Sequence, residues 1–228
     1  MRRHLLSSSV FLLACLGMAL SWQSPWVWPL LVGCLLLMLA ISRDPKDLGY
    51  LVLGIALGGF IDVLQTGAGV TVYAMPGPIL RFPAFVLLYW GLVGVALRHL
   101  FALLPPSRFH AADAALLVGA ILLSLFGNAA PLGVAGLMVL ALAVHFLVFR
   151  RWADAVAALV LMTMGPLTES MLIREGLYHF PSAEGGLIAI WLYPLYACIG
   201  ATMRGVFPLL GTLIDRAQAG LSKPSVGG

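Results

Sequence analysis

Two carboxylates, Asp62 and Glu169, stand inside apolar runs long enough to cross a bilayer. An ionisable side chain in a span is costly; it normally faces a cavity or a partner and marks a functional site. Residues near them in the sequence are of types that can work with a carboxylate. Gln65 follows Asp62 by one turn, and Asn128 closes the fifth apolar run at the same end. Tyr89 and Trp90, and then Trp191, Tyr193 and Tyr196, lie on the two helices that return after the acids, while Tyr178 and His179 sit in the second intervening loop. These eleven residues form the candidate ligand-binding set, and Asp62 and Glu169 are the catalytic candidates. Desolvation favours the neutral form of a carboxyl, which can then act as a general acid on an alkene or epoxide. That chemistry suits an isoprenoid dissolved in the bilayer. The structural alternative is that each acid binds an indole, a hydroxyl or loop amides and holds the fold together.

Other catalytic equipment is missing. The sequence has no H-E-x-x-H, no G-x-S-x-G, no G-x-x-x-x-G-K-[ST] and no dense His/Cys cluster, so no metal and no cofactor is expected. Cys15, Cys34 and Cys198 lie in apolar surroundings without C-x-x-C spacing, which suits packing. Of the remaining polar residues, His99 beside Arg98 reads as snorkelling to the inner interface, and His145 as a helix-packing histidine. Arg174, Glu175 and Glu184 read as exposed loop charges, with Arg174 also placed to partner Glu169.

The elements that position these groups are membrane helices. The chain has 228 residues, of which 61% are hydrophobic and only 10% charged, against roughly 25% charged in soluble domains. Mean hydropathy is +1.02. Apolar runs near the length of about 20 residues that spans the hydrocarbon core fall at 5–22, 26–42, 48–66, 83–104, 111–128, 131–149, 153–173 and 187–208. We therefore expect an all-α polytopic protein with eight transmembrane helices in one bundle, residues 1–220, and a flexible cytoplasmic tail, 221–228. With the amino end inside, alternate loops receive Arg2, Arg3, Arg43, Lys46, Arg98, Arg108, Arg150, Arg151, Arg204, Arg216 and Lys223. Only Arg81 and Arg174 fall outside. This asymmetry places both termini in the cytoplasm of a bacterial inner-membrane protein. It also accounts for the net charge of +4 without a nucleic-acid partner. Trp22, Trp26 and Trp28 sit where an outer interfacial belt would. The first run continues past Cys15 to Trp22, as a span does and a cleaved leader does not.

The chain resembles itself. A shift of 107 residues superimposes Arg43 on Arg150, Asp47 on Asp154, Gly58 on Gly165, Asp62 on Glu169, Gly69 on Gly176, Tyr73 on Phe180 and Tyr89 on Tyr196. The expected plan is a 4+4 parallel repeat, with halves about 1–104 and 108–210. Because four helices restore the starting side, the axis relating the halves should run along the membrane normal. The connections 67–82 and 174–186 hold Gly67, Gly69, Pro76, Gly77 and Pro78, then Gly176, Pro181, Gly185 and Gly186. They read as irregular loops folded over the outer mouth of the bundle, above a pocket open to the outer leaflet.

The segment Gly176-Leu177-Tyr178-His179-Phe180-Pro181-Ser182-Ala183-Glu184, continuing to Ile188, Trp191 and Leu192, resembles the G-V-Y-x-Y-x-S-x-D pattern of the Insig family of membrane lipid sensors. The resemblance implies a helical bundle with a central lipid cavity, sterol- or diacylglycerol-like ligands, and regulated contact with another membrane protein. Gly58, Asp62, Gly69, Tyr73, Pro83 and the Leu88-Tyr89-Trp90 run resemble an uncharacterised proteobacterial polytopic membrane family. Glu169, Gly176 and Tyr178 are similar in spacing to carotenoid hydratase-like membrane proteins. The leading expectation is a sensor or scaffold that binds a lipid or isoprenoid without turnover. The alternatives are a lipid- or isoprenoid-modifying enzyme using Asp62 and Glu169 as acid and base, and a small-solute transporter.

Overall fold

The computed structural model describes residues 1–75, 77, 81–149, 151–183 and 188–221, with side chains through residue 216. Arg150, Pro76, Pro78, Glu184, Gly185, Gly186 and Lys223, all used in the sequence reading, lie outside the described residues, as does the expected tail beyond Leu221. Among the described residues the regular structure is helical apart from one short two-stranded ribbon. The helices are α1 Arg2–Ser21, α2 Val27–Ser42, α3 Lys46–Gly67, α4 Phe85–Phe101, α5 Ala111–Ser124, α6 Pro131–Phe149, α7 Trp152–Arg174 and α8 Leu192–Leu221. Five of them, α1, α3, α6, α7 and α8, are long and apolar enough to cross a membrane; α2, α4 and α5 are shorter. α8 starts later than expected and continues well past residue 208. Along α6, Leu132, Leu137, Val139, Leu140, Val144, Leu147 and Val148 are exposed, a surface that suits lipid better than water.

The tightest helix pairs are α3 with α4 and α7 with α8, while α1 bridges α2, α4 and α7. Small residues permit the close approach, as in membrane helix packing generally. A Cβ on Gly54 would fall 2.4 Å from the Trp90 carbonyl oxygen, and one on Gly94 2.5 Å from the Tyr50 carbonyl oxygen. In the other pair, a Cβ on Gly200 would fall 2.4 Å from the Ala157 carbonyl oxygen. Backbone cannot rotate aside as a side chain can. Gly200→Ala is therefore expected to cost about 1–3 kcal/mol, read as a lower unfolding temperature in detergent. Gly119→Ala, where a Cβ meets nothing within 4 Å, is the control and should not lower it.

The connections after α3 and α7 are more ordered than a glycine-rich sequence suggests. Gly69 (φ +69°) and Gly176 (φ +78°) end the two helices in the left-handed conformation. Val70 N–H reaches back to Gln65 O (2.8 Å), and Leu177 N–H to Leu172 O (3.0 Å), the six-to-one bond of a glycine-terminated helix. Beyond the glycines, β1 (Val72–Tyr73) and β2 (Tyr178–His179) pair antiparallel, Val72 opposite His179 and Tyr73 opposite Tyr178. This ribbon, unexpected from sequence, ties one connection to the other. Asn128 holds it from the α5–α6 turn, donating to Gly69 O (2.7 Å) and accepting from Ser182 N–H (3.2 Å).

Candidate functional site

Asp62 accepts hydrogen bonds from Trp90 Nε1 on α4 and from Tyr73 Oη on β1, the latter at 3.2 Å. Glu169 accepts one from Tyr196 Oη on α8. The glycines one turn earlier explain the geometry. A Cβ on Gly58 would lie 2.2 Å from the Trp90 ring, and one on Gly165 would lie 2.3 Å from the Tyr196 ring. Each ring thus lies across a bare stretch of helix and presents its N–H or O–H to the acid four residues on. The G-x-x-x-D and G-x-x-x-E spacings are the sequence signature of this arrangement.

The two acids share one environment. Each of Tyr73 and Tyr196 lies within electrostatic reach of both carboxyls, and Glu169 within reach of Asp62. Tyr89, buried between them and α1, meets Cys15 Sγ (3.6 Å) and Thr168. Asp62 is 4% exposed, and Glu169 is half-buried. No Lys, Arg or His pairs with either acid among the described residues; Arg174 is exposed and forms no ion pair with Glu169.

The other predicted residues divide. Gln65 is buried, donating to Ser124 Oγ (3.1 Å) and accepting from Thr71 (3.3 Å). Tyr178 packs against Tyr73 with ring centroids 5.1 Å apart, supporting the phenol that reaches Asp62. Trp191 is fully buried against Phe180 and over Gly127, and its Nε1 has no hydrogen-bond partner among the described residues. Asn128 is a clamp on the connections and not a wall of the acid cluster. His179 is exposed on the ribbon, and Tyr193 is 42% exposed on the outside of α8. Neither hydrogen-bonds to the acids: alternation along β2 turns His179 away from buried Tyr178, and Tyr193, in the first turn of α8, faces the exposed surface.

Sequence reasoning missed Tyr73 as a donor to Asp62, although it stands four residues after Gly69. It also missed an acid layer at the other end of the bundle. Asp47, Asp113 and Asp154 are all buried, and each has cations. Arg98 pairs with Asp47 and Asp44, Arg151 with Asp113 (2.7 Å) and Asp154, and Arg204 with Asp154. His99 does not snorkel: it is 1% exposed, between Asp47 (3.1 Å) and His4 (2.8 Å). Its ring finds two partners inside, which removes the reason to reach water. His145 is buried 3.6 Å from Asp113. At Asp44, in the α2–α3 turn, burial works to raise the carboxyl pKa, but the Lys46 amide and the Arg98 guanidinium outweigh it and hold it below the usual carboxylate range. The stabilisation from that contact is present at neutral pH and lost as pH falls through the depressed value.

A cavity of about 280 Å³ opens beside this layer, lined by Tyr50, Arg98, Phe101, Leu104, Arg204 and Phe207 among others. A smaller one of about 90 Å³ lies between α5, α6 and Cys198. Neither is lined by Asp62, Glu169 or the connections after α3 and α7, where the pocket was expected.

No family model matches the chain, and no curated protein matches it. Among solved structures it is similar to a chain of a cross-linked MvINS trimer, with TM-score 0.58 and 22% identity over 75% of this chain and 94% of that one. The likeness covers nearly the whole of that protein and, at this identity, shows a shared helical fold.

Proposed function

We propose that this chain is a polytopic membrane protein that receives a lipid or isoprenoid at the Asp62–Glu169 cluster, acting as a sensor or scaffold without turnover. The observation that carries this reading is a contrast between two sets of buried acids. Asp47, Asp113 and Asp154 each have a cation, as structural acids in a low-dielectric interior do. Asp62 and Glu169 have only an indole and phenols. Two uncompensated carboxyls close together are poor structural cement, and at membrane depth they point to a ligand or to chemistry. Tyr89, Trp90 and Tyr196 give the cluster an aromatic wall. The Insig-like segment 176–192 supports a lipid as the ligand and a second membrane protein as a partner.

The same contrast favours one second reading. A carboxyl held by neutral donors is equipped to give a proton to an alkene or epoxide, and aromatic faces stabilise developing positive charge. Transport has less support, because Leu92, Val95 and Ala201 fill the layer between the outer acids and the inner arginines.

The wider architecture belongs to this proposal: eight crossings, both termini on the cytoplasmic side of the inner membrane, and halves related by a two-fold axis along the normal. Several pairs of observations support it. The helix-ending bonds Gln65–Val70 and Leu172–Leu177 recur 107 residues apart. So do Gly58 and Gly165 beneath their rings. Between α4 and α8 the offset is 106, which matches Trp90 with Tyr196, Gly94 with Gly200, and Arg98 with Arg204. With that offset Val72 corresponds to Tyr178 and Tyr73 to His179, so the ribbon register is the one a two-fold through its centre generates.

Mass spectrometry of lipids retained after mild detergent extraction tests the function. A near-stoichiometric lipid or isoprenoid is expected in the wild type. Conversion of that molecule in reconstituted membranes, absent from Asp62→Asn and Glu169→Gln, would select the enzymatic reading; no retained molecule of either class would remove both.

A further inference from the structure

The cavity at the opposite end of the bundle has a different chemistry from the acid cluster. It lies between the start of α3, the end of α4 and the middle of α8, beside the connection after α4. Its walls are Phe101, Leu104 and Phe207, with Tyr50 stacked on Phe207 at 5.1 Å and 6°. Its charged groups are two guanidiniums, Arg98 and Arg204, contributed by the two helices that occupy corresponding places in the halves. Their acid partners stand behind them: Asp44 and Asp47 hold Arg98 from the α3 side, Asp154 holds Arg204 from α7, and none of these carboxylates lines the cavity.

Neither guanidinium is used up. Each has five N–H donors in a planar fork. Arg98 gives one to Asp47 and one to Asp44, and its face lies 5.2 Å from the centre of the Tyr50 ring. Arg204 gives one to Asp154 and one to Pro105 O and lines the cavity although it is only 5% exposed. Paired guanidiniums favour phosphate, which takes two N–H bonds from each fork. The apolar walls call for hydrocarbon next to that phosphate. At about 280 Å³, the space is near the lower end of ligand pockets, roughly 300–1,000 Å³. It holds a headgroup and the first part of a chain, with the remainder left in the bilayer.

The geometry points to a second binding site, in which Arg98 and Arg204 grip the phosphate of a membrane amphiphile whose chain leaves past Phe101, Leu104 and Phe207. The site sits at the end carrying the basic loops, where anionic lipid attracts cations. It needs no contribution from Asp62 or Glu169.

The test is native mass spectrometry of the full chain offered dioleoyl phosphatidylglycerol, dioleoylglycerol and glycerol phosphate separately. Phosphatidylglycerol should be retained, and the other two at least about tenfold more weakly, because each lacks one half of the recognised chemistry. Leu104→Trp, which fills the cavity without touching an ion pair, should lower retention by about tenfold or more with unfolding temperature unchanged. Arg204→Lys keeps the charge opposite Asp154 but loses the fork, and should also weaken retention, which covers the case in which the tryptophan disturbs folding. Leu140→Ala, on the exposed face of α6 and away from the cavity, should leave it unchanged. Equal retention of dioleoylglycerol removes the phosphate, and equal binding of glycerol phosphate removes the amphiphile. Retention that is untouched by Leu104→Trp and Arg204→Lys, or lost equally in Leu140→Ala, overturns the site.

Discussion

Asp154→Ala is expected to lower stability by about 3–5 kcal/mol, the cost of leaving a buried cation without its partner. Arg204 is almost wholly buried and depends on Asp154 for its only ion pair among the described residues. Arg151 also contacts Asp154, so the substitution strands part of a second guanidinium. Asn at the same position keeps a hydrogen-bond acceptor and should cost less. Thermal unfolding followed in one detergent gives the order wild type, Asp154→Asn, Asp154→Ala. The double replacement Asp154→Leu with Arg204→Met should recover much of the loss, since an apolar pair of similar volume is often as stable as a buried ion pair. An Asp154→Ala protein melting with the wild type would mean that the inner layer does not hold α7 to α8.

Asp62→Asn and Glu169→Gln should behave in the opposite way. An amide oxygen still accepts from Trp90, Tyr73 or Tyr196, and no cation is stranded. Folding should therefore persist, with an unfolding temperature at or above that of the wild type, the trade expected when a functional group is strained for its task. Ligand retention should fall by about tenfold or more, because a carboxyl–ligand hydrogen bond in an apolar site is worth roughly 1.5–3 kcal/mol. A stable variant without ligand places the acid in function; an unstable one places it in the scaffold. Gly165→Leu probes the same contact from the other side, since it takes the seat of the Tyr196 ring.

Much of this arrangement is legible in the sequence because polar residues are conspicuous in apolar runs. The acids, the glycines one turn before them and the 107-residue correspondence can all be read directly. The helices fall close to the apolar runs for the same reason. What escapes depends on pairing across the bundle, which no local pattern encodes. Trp90 and Tyr196 are equivalent as donors only if the shift is 106 instead of 107, so a search at one fixed offset aligns Tyr196 with Tyr89. The same single-residue slip hides Arg98 opposite Arg204, and with it the inner ion pairs. The ribbon escapes because two residues per strand carry no periodicity. His179 and Tyr193 group with the site by depth alone. Depth along the membrane does not say which way a side chain points, and both turn outward.

We propose that Asp62 and Glu169, which pair with no cation among the described residues, meet a lipid-soluble molecule. Dicyclohexylcarbodiimide, which enters membranes and modifies protonated carboxyls there, tests it directly by peptide mass spectrometry of the labelled chain. Modification is expected at Glu169 and Asp62, with Asp47, Asp113 and Asp154, each paired with a cation, unlabelled. Label on the inner three acids with none at Glu169 or Asp62 would contradict the account.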